Sequence, residues 1–429
     1  MPVPIGGHAL FLSRRRRTCG RALRAYGRMR YNLRIVQKQK VSYVERLEHA
    51  LVKIIQQPGA DRGQPAGVRA LLALLKGLSC VFLAVVSVRY FFYRTGVLRR
   101  FPLGCQVISI GNVTAGGTGK TPVTEKFAHE LTAAGRKVAI LSRGYRRKEA
   151  PWWQRMFSQV IEKPLVVSDG KHILLDAATG GDEPYMLAAN LPGVCVLVDR
   201  NRVKAGRYAI SRFGCDTLIL DDGFQYQKLK HSLEVVLVDK TNPFGNGHML
   251  PRGVLREPAK HIARADFIFL TKSDGNSAAV REQIRAYNKT AEIIECRHAP
   301  RLLKDVWSRE ELPLDWLKGK TLTTLSGIAV PQGFEDSLRK LGARVIWCER
   351  YADHHRYDAS EIIFALNKTA DLHADALITT EKDAVRFPRL ESTPVPCYYL
   401  RVDIEITAGA ENFAAAVDHI CNVKPKAKG

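Results

Sequence analysis

The stretch Val107–Pro122, V-I-S-I-G-N-V-T-A-G-G-T-G-K-T-P, carries residue types at a spacing that binds phosphate. A short β-branched run (Val107, Ile108, Ile110) leads into a loop with Gly111, Gly116, Gly117 and Gly119. Lys120 and Thr121 follow, and a helical pattern begins with Pro122 in its first turn. Glycines let backbone N–H groups curl around phosphate oxygens, and a helix N-terminus adds favourable partial charge. Lys120 would reach the β- and γ-phosphates of a nucleotide, and the Thr121 hydroxyl would ligate Mg²⁺. The strict phosphate-loop pattern has glycine where this chain has Thr114. An ordinary glycine-rich turn is the alternative; the strand before and the helix after weigh against it.

Other stretches could complete such a site. Thr217–Gly223, T-L-I-L-D-D-G, is an apolar strand ending in two carboxylates. A phosphate-loop enzyme needs an acid there to hold Mg²⁺ or its water shell, so Asp221 and Asp222 are metal-side candidates; opening a turn is the alternative. Gln225, just beyond, has an amide able to bond phosphate or water. In G-D-E-P, Asp182 either caps a helix, with Pro184 in the first turn, or accepts the proton of an attacking hydroxyl. The Gly/Pro-rich loop Asn242–Pro258 ends with Arg256 and Glu257, suited to a phosphate or metal contact or to a purely structural loop. In Asp353-His354-His355 the neighbouring imidazoles must diverge, which disfavours a shared metal. A partner for a catalytic carboxylate, or a surface loop, remains. Thr271-Lys272-Ser273-Asp274 imitates the base-reading motif of guanine-nucleotide proteins, or is incidental.

The elements that must position these residues read as α/β. From Gln106 onward, apolar β-rich runs recur at Val107–Ile110, Val138–Leu141, Val194–Val198, Thr217–Leu220, Val235–Val238 and Phe267–Leu270. Helical stretches such as Val123–Ala134 and Asn201–Phe213 lie between them. Buried strands alternating with helices predict a mostly parallel sheet covered on both faces, with ligands at the carboxyl ends of its strands. The polar clusters Ser142–Tyr145, Asp199-Arg200 and Asp221–Gly223 fall at those ends. A second, smaller α/β set follows, with strands at Thr321–Leu325, Val345–Trp347, Ala376–Thr380 and Pro396–Leu400, and helices at Gly333–Leu341 and Ser360–Ala370. The expected organisation is a basic extension over 1–66, a hydrophobic helix within 67–100, a phosphate-loop domain over 101–318, a smaller domain over 319–422 and a disordered tail over 423–429.

Composition bounds the partners. The chain has 429 residues, a net charge of +24 and a hydrophobic fraction of 46%. It is long enough for two or three domains with a sizeable core. Such a charge favours anionic lipid, phosphorylated substrates or nucleic acid, although no folded nucleic-acid reader accompanies it. Nine scattered cysteines, without C-x-x-C pairs, point to reduced thiols rather than a zinc site or a disulfide framework. Residues 1–66 include the run Arg14–Arg17 and no acid before Glu45. An over-long start with Met29 as initiator, a membrane-surface arm and an Arg-rich transit peptide all fit. Leu71–Tyr93 is strongly apolar, but its charge-free part, Gly77–Val88, rises only about 18 Å, against roughly 30 Å of hydrocarbon. A membrane-associated helix is therefore expected, either lying in one leaflet or spanning with Lys76 and Arg89 snorkelling.

Together these stretches resemble the tetraacyldisaccharide 4′-kinase family of lipid A biosynthesis. The resemblance rests on I-G-N-V-T-A-G-G-T-G-K-T-P, L-S-R-G-Y, G-D-E-P, D-D-G-F-Q, F-G-N-G-H-M-L-P-R-G-V-L-R-E-P, L-S-G-I-A-x-P, A-D-H-H and T-T-E-K-D-A-V, in that order. That family's loop also lacks the first glycine, so Thr114 fits it. Arg252 and Val254 depart from the usual Ala and Pro, and residues 1–66 have no counterpart. The resemblance implies an inner-membrane kinase with its catalytic domains on the cytoplasmic face, organellar targeting being the alternative. It would move the γ-phosphate of ATP to the 4′-hydroxyl of a tetraacylated glucosamine disaccharide-1-phosphate, giving lipid IVA. By the same resemblance Asp182 is the base with His354 paired to it, and Lys120 is catalytic. Gly116, Gly117, Thr118, Gly119, Lys120, Thr121, Tyr145, Gln225 and Arg256 hold ATP, and Thr121, Asp221, Asp222 and Glu257 hold Mg²⁺. The expected partners are the acylated lipid and an anionic membrane surface, with no nucleic acid and a monomeric state. A membrane-docked regulatory GTPase is the competing reading.

Overall fold

The computed structural model describes residues 65–144 and 163–422. Tyr145, most of the basic extension and the tail after Asn422 therefore lie outside the described residues. In chain order the main elements are α1 (Ala66–Arg94), β1 (Gln106–Asn112), α2 (Lys120–Ala133), β2 (Val138–Ser142), β3 (Leu165–Asp169), α3 (Asp182–Asn190), β4 (Cys195–Val198), α4 (Arg202–Phe213), β5 (Thr217–Asp221), β6 (Leu233–Asp239), β7 (Phe267–Thr271), α5 (Ala278–Arg285) and β8 (Glu292–Asp305). Then follow β9 (Glu311–Pro313), β10 (Thr321–Ser326), α6 (Pro331–Lys340), β11 (Arg344–Arg350), α7 (Ala359–Asp371), β12 (Ala376–Thr380), the single turn α8 (Glu381–Ala384), β13 (Cys397–Ala408) and α9 (Ala410–Asn422).

The strands form one sheet in the order β11-β10-β12-β13-β8-β7-β6-β1-β5-β2-β4-β3, with β9 pairing on β8. Pairing is parallel except for β3–β4, β8–β9 and β13–β8. β1 is buried at every position, as are β2 and β5, which explains why they read as unbroken apolar runs. The boundary expected near residue 318 falls inside this continuous sheet, where β13 runs antiparallel to β8 from Tyr398↔Asp305 to Ala408↔Glu295.

Strand β1 lies between β5 and β6, and the chain winds to opposite sides of it. Such a switch point opens a crevice at the carboxyl ends of the strands, and the glycine loop leaves β1 there. Helix α2, which follows the loop, is anchored by Phe127. Its ring meets Phe269 of β7 at 5.6 Å and Phe413 of α9 at 5.0 Å. The loop thus stands on a rigid helix–sheet junction.

Helix α1 runs for 29 residues, longer than the expected Leu71–Tyr93. One face docks on the body. The buried Ser79 hydroxyl donates to the Met249 carbonyl at 2.8 Å and accepts from the Arg252 N–H at 3.0 Å. Tyr90 lies against His261 with ring centroids 4.4 Å apart. Leu74, Leu78, Val81, Val85 and Val88 recur at helical spacing on the other side and are all exposed, Val85 by 60%. Among the described residues all eight cysteines are free.

Candidate active site

The loop from Val113 to Gly119 is shaped by its neighbours. Ala115 N–H donates to the Val254 carbonyl at 2.6 Å, and the Asn112 amide donates to the Thr114 carbonyl at 2.8 Å. Thr114 is buried, its backbone forms a β-bridge with Leu255 of the Asn242–Pro258 loop, and its hydroxyl accepts from the Asn112 amide at 3.2 Å. Gly119 caps α2 at φ 81°, a left-handed conformation, and a Cβ there would lie 3.0 Å from the His298 ring. Only glycine fits both conditions.

Lys120 Nζ lies 3.3 Å from Asn112 Oδ1 and 3.6 Å from Asp222 Oδ1. Asp222, itself at φ 54°, receives both arms of the Arg256 guanidinium at 2.8 Å. Burial alone would raise the Asp222 carboxyl, but this fork and Lys120 hold it far below the usual carboxylate range. Asp221, one residue earlier, is pushed up by burial and by the charges of Glu183 and Asp222, which Lys120 and Arg202 only partly offset. Its Oδ1 and the Thr118 hydroxyl are buried without a hydrogen-bond partner. A buried carboxylate oxygen with no donor is costly unless a cation or its water shell meets it, so these residues fit a divalent ion beside nucleotide phosphates.

Two further expected members have partners within the protein. The Gln225 amide donates to the Asn112 carbonyl at 2.9 Å. Glu257 is buried, with Oε2 accepting from His261 at 2.7 Å and from Arg264 at 2.8 Å. Asn112, which contacts Lys120, Gln225 and Arg256, is the hub that motif reading passed over.

Across the crevice, Asp182 is the first residue of α3 rather than its cap. Gly181 occupies the cap position at φ 99°, and no side chain caps the helix. The Asp182 carboxylate is thereby free to meet His354, whose Nδ1 lies 3.7 Å from Oδ2, and Arg386, whose Nε donates to Oδ2 at 2.9 Å. Burial opposes its ionisation, but the neighbouring His354 imidazole and the Arg386 charge prevail and lower its pKa. His354 sits at φ 64°, and its N–H donates to the Gly327 carbonyl at 3.1 Å. A Cβ on Gly327 would lie 2.6 Å from the Tyr357 hydroxyl, so this glycine lets the A-D-H-H turn pack down. His355 turns away to Glu361 at 2.9 Å and stacks on Tyr351. The diverging imidazoles have different partners, and among the described residues no cluster of three or more His, Cys, Asp or Glu could hold a metal ion.

Lys382 and Arg386 were not singled out from sequence. Lys382 Nζ lies 3.0 Å from His354 Nε2. An ammonium only donates, so Nε2 accepts, and a neutral His354 then carries its proton on Nδ1, facing Asp182. Both residues belong to or follow T-T-E-K-D-A-V, the signal that could have found them. In Thr271–Asp274, Lys272 pairs with Asp239 at 2.5 Å and Asp274 pairs with Lys240.

The sheet and its loop place the chain among P-loop NTPase-like α/β proteins. Comparison with known proteins narrows this. The tetraacyldisaccharide-1-P 4′-kinase (LpxK) family model matches residues 71–422. The tetraacyldisaccharide 4′-kinase of Anaeromyxobacter dehalogenans (strain 2CP-C) is 40% identical over 367 residues, 84% of this chain and 92% of that protein. That of Syntrophus aciditrophicus (strain SB) is 36% identical, over 80% and 91% respectively. The crystal structure of LpxK from Aquifex aeolicus in complex with ATP superposes with a TM-score of 0.66 at 27% identity, covering 82% of this chain and 99% of that one. The chain belongs to the tetraacyldisaccharide 4′-kinase family, and the regulatory GTPase reading finds no support in these relatives.

Proposed function

We propose that this chain transfers the γ-phosphate of ATP to the 4′-hydroxyl of a tetraacylated glucosamine disaccharide-1-phosphate, giving lipid IVA. The residue assignments are supported by two charged clusters, one at the phosphate loop and one at the start of α3. Lys120, Asp222 and Arg256 stand on the loop side, and Asp182, His354 and Arg386 on the other. Glu183, next to Asp182, is near enough to Asp221 for its charge to act on that carboxyl.

Phosphoryl transfer asks for positioning and charge compensation more than for covalent chemistry. The loop N–H groups of Gly116–Gly119, with Lys120, hold the phosphates, and Arg256 and Gln225 order the loop side through Asn112. Thr121, Asp221, Asp222 and Glu257 are the residues that would hold Mg²⁺, which when bound would offset phosphate charge. Asp182, kept ionised by Arg386, accepts the hydroxyl proton of the acceptor, and the Nδ1 proton of His354 fixes the carboxylate's orientation. The outward stripe of α1 lies in a single leaflet of an anionic membrane, because Ser79, Phe82, Val86 and Tyr90 on its other face contact the body. The catalytic side then faces the cytoplasm, where ATP is available, and basic surface near the helix favours anionic headgroups.

Purified protein with ATP, Mg²⁺ and the acylated disaccharide should yield the 4′-phosphorylated product; no product from well-folded protein overturns the reading. Asp182→Ala should lower kcat by roughly 10²–10⁴, and near-normal turnover would remove Asp182 from the role of base.

A further inference from the structure

The motif T-T-E-K-D-A-V contributes more than Lys382. Its glutamate, Glu381, opens α8, and its carboxylate is not directed at His354. Glu381 Oε2 instead accepts from Arg401 Nη1 of β13 at 2.8 Å. The other arm of the same guanidinium, Nη2, donates to Glu125 Oε1. Glu125 belongs to α2, little more than one turn beyond Lys120. Asn190, the last residue of α3, closes the group by donating to Glu381 Oε1 at 2.8 Å. The side chains of Arg401, Glu125 and Glu381 are only 15%, 13% and 13% exposed.

One guanidinium thus joins the helix that follows the phosphate loop to the turn whose next residue touches His354. The third member, Asn190, ends the helix that begins with Asp182. Asp403 Oδ1, on the same strand, lies 3.2 Å from Nη2 as a third carboxylate; a buried cation shared in this way is a poor source of stability, because desolvation consumes most of the attraction. It is a good source of geometry, since the planar fork bonds both partners only when their spacing and orientation are right. None of the three charged residues has a part in binding phosphate or in proton transfer as described above.

We infer that Arg401 is a positioning residue for phosphoryl transfer, setting the distance between the phosphate loop and the Asp182–His354 pair by clamping Glu125 to Glu381. The inference rests on the kinase reading. Misplacement of reacting groups by about 1 Å costs about 10²-fold in rate, whereas the loop that binds ATP keeps all its own contacts when the clamp is cut.

The test uses the full-length protein, ATP with Mg²⁺ and the acylated disaccharide. Arg401→Gln should lower kcat for transfer about 10- to 100-fold and leave KM for ATP within about twofold. ATP hydrolysis without acceptor should persist, so the ratio of transfer to hydrolysis falls, which a general loss of folded protein would not produce. Arg401→Lys, with charge but no fork, should recover only part of the rate. Glu381→Gln should lose rate in the same way, and Arg401→Gln added to it should cost little more, because both cut the same clamp. The near-isosteric Glu381→Gln carries the test if Arg401→Gln does not fold. A folded Arg401→Gln or Glu381→Gln protein with wild-type kcat, or a loss appearing wholly in KM for ATP, overturns the clamp. A wild-type protein that transfers nothing overturns the kinase reading itself.

Discussion

Arg386 offers the sharpest test of the acceptor side. Its side chain is 3% exposed, its Nε bonds Asp182 Oδ2 at 2.9 Å, and its Nη1 bonds Asp383 Oδ1 at 3.2 Å. Replacing it with glutamine removes the cation that, with His354, outweighs burial and keeps Asp182 ionised. At a separation of about 3–4 Å and an effective dielectric of about 20, the lost attraction is about 4–6 kcal/mol. That is an upper bound, because water and the new amide replace part of it. An opposite charge at this range shifts a carboxyl by about 1–3 units. The sign is upward: without Arg386 the neutral acid is favoured, and a higher pH is needed to generate the base. The acid limb of the pH profile of kcat/KM for transfer should therefore move up by about 1–3 units, with an intermediate shift for Arg386→Lys. The buried Asp383 loses a partner in the same variant, at a cost of about 3–5 kcal/mol, so thermal unfolding fixes a temperature at which each variant is folded. An acid limb that coincides with the wild-type limb in folded Arg386→Gln would refute the assignment of Asp182 as a base held ionised by Arg386.

Two further outcomes are expected. Burial pushes Glu125 from 4.5 up to about 7, with Glu381 adding to the rise and the shared Arg401 compensating only part of it. Its proton is held more tightly in the folded chain, so stability is present below about 4.5 and lost as pH climbs through about 7; Glu125→Gln should flatten that fall by up to about 3 kcal/mol, read as unfolding midpoints against pH. Val85→Asp places a charge on the exposed stripe of α1, where a charged residue in hydrocarbon costs about 2.5–3.5 kcal/mol. Retention on anionic phospholipid vesicles should drop by tenfold or more with an unchanged melting temperature, and equal retention would show that this face does not enter the bilayer.

The strands flanking the loop were legible because they are buried on both faces, and two-sided burial demands unbroken apolar runs. Strand β8 was not. It reads E-I-I-E-C-R-H-A-P-R-L-L-K-D, with a proline in its centre and side chains ranging from buried to exposed, so neither run nor alternation survives. The edge strand β3 is short and antiparallel, and the helix α9 was missed although Phe413 completes the packing of Phe127. The glycine loop, Lys120 and Asp222 were marked by motifs whose chemistry is local, whereas the pairing of Asp182 with His354 followed only from the family resemblance. Lys382 lies within T-T-E-K-D-A-V and Arg386 directly follows it, but that motif assigns no chemistry to either, and Arg401 carries no local mark at all, since an arginine or lysine on a turn or strand is usually solvated.

What the amino-acid order determined by itself was the phosphate loop, the α/β class and the apolar helix before them, because each follows from backbone conformation and periodicity within a few neighbouring residues. Only the tertiary structure decided which charges neutralise which. Asp182 meets His354 and Arg386, and Arg401 joins Glu125 to Glu381, across separations of up to 276 residues in the chain. Electrostatic partnership depends on distance and burial, and both come into being only when the sheet brings its two halves together.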